Sequence, residues 1–386
     1  MKTKELDSQY VAHTYARFPV EIVSGKGSLL RDDAGKEYID LGSGIAVNIF
    51  GTQDEVWKQA VTAQLDRFQH TSNLFYTAPC AQLAEQLCRK TGMKKVFFSN
   101  SGAESNECAI KAARKYGEQK HGRDCYTIVT LVNSFHGRTI TTLAATGQDH
   151  FHEDFQPLTP GFVYAEANSL QSVEALVASH NVCAIMFEAI QGEGGVIALD
   201  KAFLQGLAKI AAEKDILLIA DEVQSGNGRS GYLYAYMASG IRPDIVTTAK
   251  GIGGGLPLGV TMLGEKVENV YQPGMHGSTF GGNPVCCAGA LSILARLDES
   301  LFTQVRAKSD YIVRALTGAE GVESVTGMGL MLGVKPKKPA PEVVAYCREH
   351  GVLVLTAKDK LRLLPPLNIP MEFLQKAVQI ILDGCK

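Results

Sequence analysis

An acid and a lysine, Asp221 and Lys250, each stand at the end of a short apolar run. ILLIA runs into Asp221 without a polar break, which predicts a strand buried on both faces. DIVTTA is β-branched, ends before Lys250 and predicts a second such strand. In a parallel α/β sheet the chemistry gathers at the carboxyl ends of strands, where both side chains would arrive. YLYAYMASG, between them, is predicted to supply the crossover helix that a parallel pair needs. A lysine buried at such a position loses its proton more readily, because burial disfavours the ammonium form. It can then act as a Schiff-base nucleophile. A carboxylate in the same pocket needs a cationic partner, and a protonated pyridine nitrogen is one. The plain alternative is a loop-capping Asp221 and a solvated Lys250.

Other residues compete between structural and chemical roles in the same way. Ser101, Gly102, Ala103 and Glu104 follow the predicted strand VFFS and open a long helix. Ser-x-x-Glu caps a helix start, while the small Gly102 and Ala103 would leave backbone N–H groups open to an anion. Phe135 follows the strand YTIVTLV and is either core or a stacking surface for a flat ring. Arg138 is either a surface residue or a bidentate fork for a carboxylate. Glu188 and Glu193 bracket EAIQGEGG, whose glycines by themselves require only a loop. Gly226, Gly228 and Gly231 spell a formal G-x-G-x-x-G, but the acidic pair Asp221-Glu222 precedes it where a pyrophosphate would be repelled.

These residues need a frame. The chain has 386 residues, 45% hydrophobic and 20% charged, enough for a large core and two domains. A net charge of −2 offers no basic surface for nucleic acid or membrane. Nine cysteines without metal-ligand spacing imply free thiols in a reducing compartment, and no metal site. MKTKELDSQY has no apolar core, no run is long enough to cross a membrane, and the expected location is the cytoplasm. From Val96 strand and helix alternate, with helices over 104–120, near 138–145, over 201–214 and near 232–238. That pattern predicts an α/β fold, a mostly parallel central sheet with helices on both faces. Residues 275–386 read as a smaller α+β domain. Residues 51–274 make the large domain, and 1–50 are an N-terminal segment whose strands join the small one.

SNSGAESNECAIKAAR, FHGRT with ATGQ, IQGEGG, DEVQSGNGRSG, AKGIGGGLPLG and HGSTFGGNP occur in that order and span nearly the whole chain. Together they resemble the class III, fold-type I pyridoxal phosphate aminotransferases. TYARFPV with SGIAVN, and LRLLPPL near the C-terminus, most resemble the members that act on N2-acetylornithine. The resemblance implies a homodimer with a shared active site and pyridoxal 5'-phosphate held as a Schiff base on Lys250. It implies that Asp221 pairs with the pyridine nitrogen, Val223 and Phe135 sandwich the ring, and Gln224 lies near its hydroxyl. Gly102 and Ala103 would bind the phosphate, Thr279 of the neighbouring subunit would close that site beside Ser278, and Glu222 is counted among the cofactor contacts. Arg138 matches the arginine for the substrate carboxylate distant from the amine, and Arg362 the one for the α-carboxylate of glutamate or 2-oxoglutarate. Glu193 matches the acid that pairs with Arg362 until the diacid arrives.

The implied reaction moves the δ-amine of N2-acetylornithine to 2-oxoglutarate. Sibling substrates are succinyl-diaminopimelate, succinylornithine, ornithine and 4-aminobutyrate. An aminomutase would need no 2-oxoglutarate, and a regulator on this fold would need an attached DNA-binding domain, for which the N-terminal segment leaves no room. The chain has FGTQDEV where the family usually shows Gly-His-x-His-Pro, and Ala189-Ile190 where Pro-Val is common. Gly44, where ornithine aminotransferases place a tyrosine, leaves room for an acylated α-amine.

Overall fold

Seven strands form the central sheet of the computed structural model, which describes residues 3–386. Their spatial order is Lys95–Ser99, Gly259–Leu263, Ile245–Thr248, Leu217–Asp221, Val182–Phe187, Thr127–Leu131 and Phe162–Ala165. Gly259–Leu263 runs antiparallel to both neighbours, and the other pairings are parallel. The three strands at the centre, Ile245–Thr248, Leu217–Asp221 and Val182–Phe187, are buried throughout, as their apolar and β-branched sequences predict. The register sets Asp221 opposite Thr247, so Asp221 and the nearby Lys250 leave the sheet at the same edge.

Helix Gly102–His121 starts where Ser101 Oγ accepts the Glu104 N–H, and it lies across the strands that carry Asp221 and Thr247. Its buried face is made of small and apolar residues, among them Ser105, Ala109, Ala112 and Ala113, which allow close approach to the sheet. Helix Lys201–Lys214 has the predicted bounds. The predicted helix near 232–238 is not α-helical. A 3-10 turn, Ala235–Ser239, stands there, ended by Gly240 in the left-handed conformation at φ 72°. The carboxylate of Glu222 accepts the N–H groups of Ala235 and Tyr236, at 2.9 and 2.8 Å, and holds the segment in a turn. An edge strand, Phe162–Ala165, and a helix, Leu170–Ser179, add to the predicted elements.

Strands Ile22–Lys26, Leu29–Asp32 and Glu37–Asp40 form a second sheet, completed by Val352–Leu353 running parallel to Glu37–Asp40. A third sheet, Val322–Met328, Met331–Pro336, Lys360–Leu363 and Leu355–Ala357, carries Arg362 opposite Gly333. Helix Pro284–Leu294 packs on helices Glu55–Leu65 and Ala78–Thr91. The connection at 43–46 is a left-handed turn, with Ser43, Gly44, Ile45 and Ala46 all at positive φ. Asp40 Oδ1 pins it by accepting the N–H groups of Gly42 and Ser43.

Candidate active site

A cavity of about 570 Å³ opens at the carboxyl edge of the central sheet. Its walls include Ser101, Gly102, Ala103, Phe135, Arg138, Asp221, Val223, Gln224 and Lys250. These residues, singled out by type and spacing, arrive in one place from four separate segments of the chain. The volume lies within the range of small-ligand sites.

Lys250 begins a 3-10 turn directly after the Ile245–Thr248 strand, with φ at 48°. Positive φ is costly for a residue with a Cβ and persists only where the surroundings impose it. Asn227 imposes it here by donating to Thr248 Oγ1 and to the Ala249 carbonyl. Burial lowers the Lys250 amine below its ordinary pKa. The Glu193 carboxylate opposes that shift, the Arg362 charge adds to it, and Asp221 and Glu188 oppose it further. A larger share of neutral amine near neutral pH follows, which nucleophilic attack requires.

Asp221 lies at the neighbouring strand end in a dense hydrogen-bond set. Its Oδ2 accepts from Asn106 Nδ2 at 2.8 Å and from His136 Nδ1 at 2.7 Å, and its Oδ1 accepts the Val223 N–H at 3.0 Å. Asn106 is fixed in turn, donating to the His136 carbonyl and accepting from Thr247 Oγ1. A carboxylate can only accept, so His136 carries its proton on Nδ1, and its Nε2 is buried without a partner. Asn106 and His136 line the cavity, and sequence reasoning missed both as site residues.

The first turn of helix Gly102–His121 faces the same space. Ser101 engages the Glu104 and Ser105 N–H groups. Gly102 and Ala103 donate to nothing within the helix, because the first N–H groups of any helix have no intrahelical acceptor. A Cβ on Gly102 would come 2.5 Å from Val223 Cγ1, so only glycine lets this backbone approach the wall that Val223 builds. Two open N–H groups at a positive helix end, a carboxylate held at a strand terminus and a lysine between them fit a flat, anionic ring compound.

Glu193 and Arg362 stand behind Gln224. Arg362, almost fully buried, donates from Nη1 to Glu193 Oε1 at 2.5 Å and to Gln224 Oε1 at 3.2 Å. Gln224 Nε2 also donates to Glu193 Oε1 at 3.3 Å. Burial raises the Glu193 carboxyl, yet the Arg362 charge and hydrogen bond, Lys250 and Gln224 bring it below its ordinary value. A Cβ on Gly192 would lie 2.6 Å from the Gln224 amide, so the loop glycine lets this triad close. Ser278 Oγ accepts from Asn100 Nδ2 and from the Gly281 N–H, and Thr279 next to it is exposed and away from the cavity.

Glu222 requires a correction. Its carboxylate does not reach the cavity, because side chains alternate along an extended strand end and Glu222 follows Asp221. It is fully buried, engaged by Ser225 Oγ and the N–H groups of Ala235 and Tyr236. Burial outweighs these bonds and raises it to about 7. Burial likewise raises Glu188 to about 7, with His136 opposing and Asp221 reinforcing the shift. Raised carboxyls hold protons in the folded state that the unfolded chain releases near 4.5, so their contribution to stability is full below that pH and is lost as pH rises through about 7. Glu222→Gln is therefore expected to show a smaller change in melting temperature between about pH 5 and about pH 8 than the wild type. An unchanged difference in thermal melts would contradict the assignment.

The family model for aminotransferase class-III matches residues 10–384, and the chain belongs to that family, whose members are pyridoxal phosphate-dependent transferases. It is 49% identical over 98% of its length to an acetylornithine aminotransferase of Haemophilus ducreyi, of which 97% is covered. Its fold superimposes on the ornithine aminotransferase from Toxoplasma gondii ME49 with a TM-score of 0.95 at 31% identity, covering 100% of this chain and 95% of that one. The N-acetylornithine aminotransferase from Stenotrophomonas maltophilia K279a gives a TM-score of 0.85 at 33% identity, with 98% and 97% covered. The G-x-G-x-x-G stretch opens no helix. It forms turns, with Asn227, Gly228 and Gly231 at positive φ.

Proposed function

We propose that this chain transfers the δ-amino group of N2-acetylornithine to 2-oxoglutarate, giving N-acetylglutamate 5-semialdehyde and glutamate, a step of arginine biosynthesis in the cytoplasm. One contrast carries the reading. Two arginines serve the site, and they are held differently: Arg138 has no ion pair or hydrogen bond among the described residues, whereas Arg362 is bound to Glu193 and Gln224. The donor brings one carboxylate, distant from the reacting amine, and Arg138 is open to it. The acceptor brings a second carboxylate, which takes Arg362 from Glu193. A bare Arg362 in this buried setting would be costly during the donor half of the cycle. The acylated α-amine of the donor carries no charge and needs no counter-ion.

Bound pyridoxal phosphate supplies an electron sink that acidifies the carbon bearing the amine. Lys250 would hold it covalently through Nζ and, once displaced by the incoming amine, take the proton from that carbon. Asp221, oriented by Asn106 and His136, would keep the ring nitrogen protonated, and the N–H groups of Gly102 and Ala103 would receive the phosphate. Phe135 and Val223 would confine the ring, with Gln224 beside it and Ser278 near the substrate.

Thr279 would close the phosphate site of a second copy of the chain, as part of a homodimer. Leu74, Phe75, Tyr76 and Phe280 are exposed, and exposed apolar side chains near Thr279 support that pairing. A single-chain mass in sedimentation would contradict it. No helix among the described residues is long and apolar enough to cross a membrane.

Glu193→Gln tests the arginine logic. The change removes the charge that neutralises Arg362 and keeps the side-chain shape. It is expected to lower kcat/KM for N2-acetylornithine about 10- to 100-fold and to leave 2-oxoglutarate nearly unaffected. Equal losses in both half-reactions would overturn the exchange. Among donors, kcat/KM is expected to be highest for N2-acetylornithine, and a higher value for ornithine or succinyl-diaminopimelate would reassign the substrate.

A further inference from the structure

The open guanidinium of Arg138 needs something to hold it in place. Among the described residues no acid does so, and its recorded partners are two aromatic rings. Its Cζ lies 4.6 Å from the centroid of Phe151 and 5.9 Å from that of Phe135. The two rings meet edge to face, with centroids 5.6 Å apart and planes at 64°. Phe135 lines the cavity and Phe151 stands outside it, next to Arg138.

We propose that Phe151 is a positioning residue for substrate recognition, an aromatic platform that fixes Arg138 for the distal carboxylate of the substrate while leaving its N–H groups free. The inference rests on the aminotransferase reading above. The physical reason is a division of labour. An acidic neighbour would orient the arginine by occupying its donors, and the substrate would have to displace it. A ring face attracts the cation through its quadrupole and uses none of the N–H groups. The planar fork then stays available for bidentate pairing with a carboxylate.

The platform is itself anchored. Phe151 closes the 3-10 turn Asp149–Phe151, and both flanks of the turn are tied down. Gln148 is buried and donates from Nε2 to the Ser134 carbonyl at 3.0 Å. His152 is buried and its Nε2 bonds to the Leu143 carbonyl at 2.9 Å. Ser134 and Leu143 lie just before and just after the segment that carries Phe135 and Arg138. The turn is thus fastened to the same piece of chain it supports. His150 adds a further contact to the Phe151 ring, with centroids 4.0 Å apart. Preorganisation of this kind lowers the ordering cost of binding.

The test compares Phe151→Ala, Phe151→Leu and Phe151→Tyr holoenzymes with N2-acetylornithine, 2-oxoglutarate and n-butylamine, an amine that has no carboxylate. The alanine and leucine variants are expected to raise KM for both carboxylate substrates about tenfold with little change in kcat, and tyrosine to restore the wild-type value. Single turnover of n-butylamine is expected to be the same in all forms. An unchanged KM in the leucine variant, or an equal loss with n-butylamine, would overturn the proposal. Should alanine fail to fold, leucine keeps the comparison intact, because it retains apolar bulk and lacks a ring face. If the wild type ignores N2-acetylornithine but uses 4-aminobutyrate, the donor assignment fails. The same KM comparison with 4-aminobutyrate then decides the role of Phe151 on its own.

Discussion

Lys250→Ala is expected to lower turnover by more than about ten-thousand-fold while the protein stays folded. Among the described residues Lys250 is the only lysine lining the cavity, so no second amine there stands ready to replace it. Two proposed functions would be lost together, covalent retention of the cofactor and proton transfer at the substrate carbon. Non-additive behaviour is usual for groups that act as a unit, so adding a second site mutation should cost little more. The fold should tolerate the change, because Asn227 fixes the backbone at this point through Thr248 and Ala249 and not through the lysine side chain. Steady-state turnover together with a thermal melt checks this. Activity within tenfold of wild type would contradict the role given to Lys250.

Asp221→Asn is expected to cost about 10²- to 10³-fold in kcat with saturating cofactor, the scale of losing one preorganised electrostatic contact. Size is preserved, and the charge and the acceptor pattern are not. Asp221 Oδ2 meets two donors, Asn106 Nδ2 and His136 Nδ1. An amide NH2 in that place would face both donors. Turning the amide round would instead set its NH2 against the Val223 N–H, now received by Oδ1. Either orientation leaves a buried donor unsatisfied, which costs stability as well as activity. A variant with wild-type kcat would show that the carboxylate does not act on the ring nitrogen.

Much of this arrangement was legible in the sequence because it depends on short-range rules. Apolar or β-branched runs mark strands buried on both faces, and the first charged residue after each run marks the functional edge of the sheet. That logic leads to Asp221 and Lys250, and the cap at Ser101 leads to the helix start that lines the cavity. What stayed hidden depends on partners far apart in the chain. Nothing local marks Asn106 or His136, whose importance comes from Asp221 115 and 85 residues away. The 3-10 turn at Ala235–Ser239 in place of a helix is imposed by Glu222, and the same bonds explain why Glu222 serves the loop and not the cofactor. Phe162–Ala165 is a four-residue edge strand, mostly half-buried, too short for a period to stand out. The left-handed turn at 43–46 depends on the Asp40 carboxylate and contains a single glycine.

In the proposed cycle Lys250, Asp221 and Arg138 of the cavity, with Arg362 behind Gln224, exchange an amine between N2-acetylornithine and 2-oxoglutarate. The most direct measurement is a single half-reaction on the purified holoenzyme, followed by the absorbance of the bound cofactor. N2-acetylornithine, ornithine, succinyl-diaminopimelate and 4-aminobutyrate would each be supplied in separate cuvettes. The account predicts rapid loss of the absorbance with N2-acetylornithine and its return on addition of 2-oxoglutarate. No loss with N2-acetylornithine, alongside rapid loss with another of these amines, would contradict it.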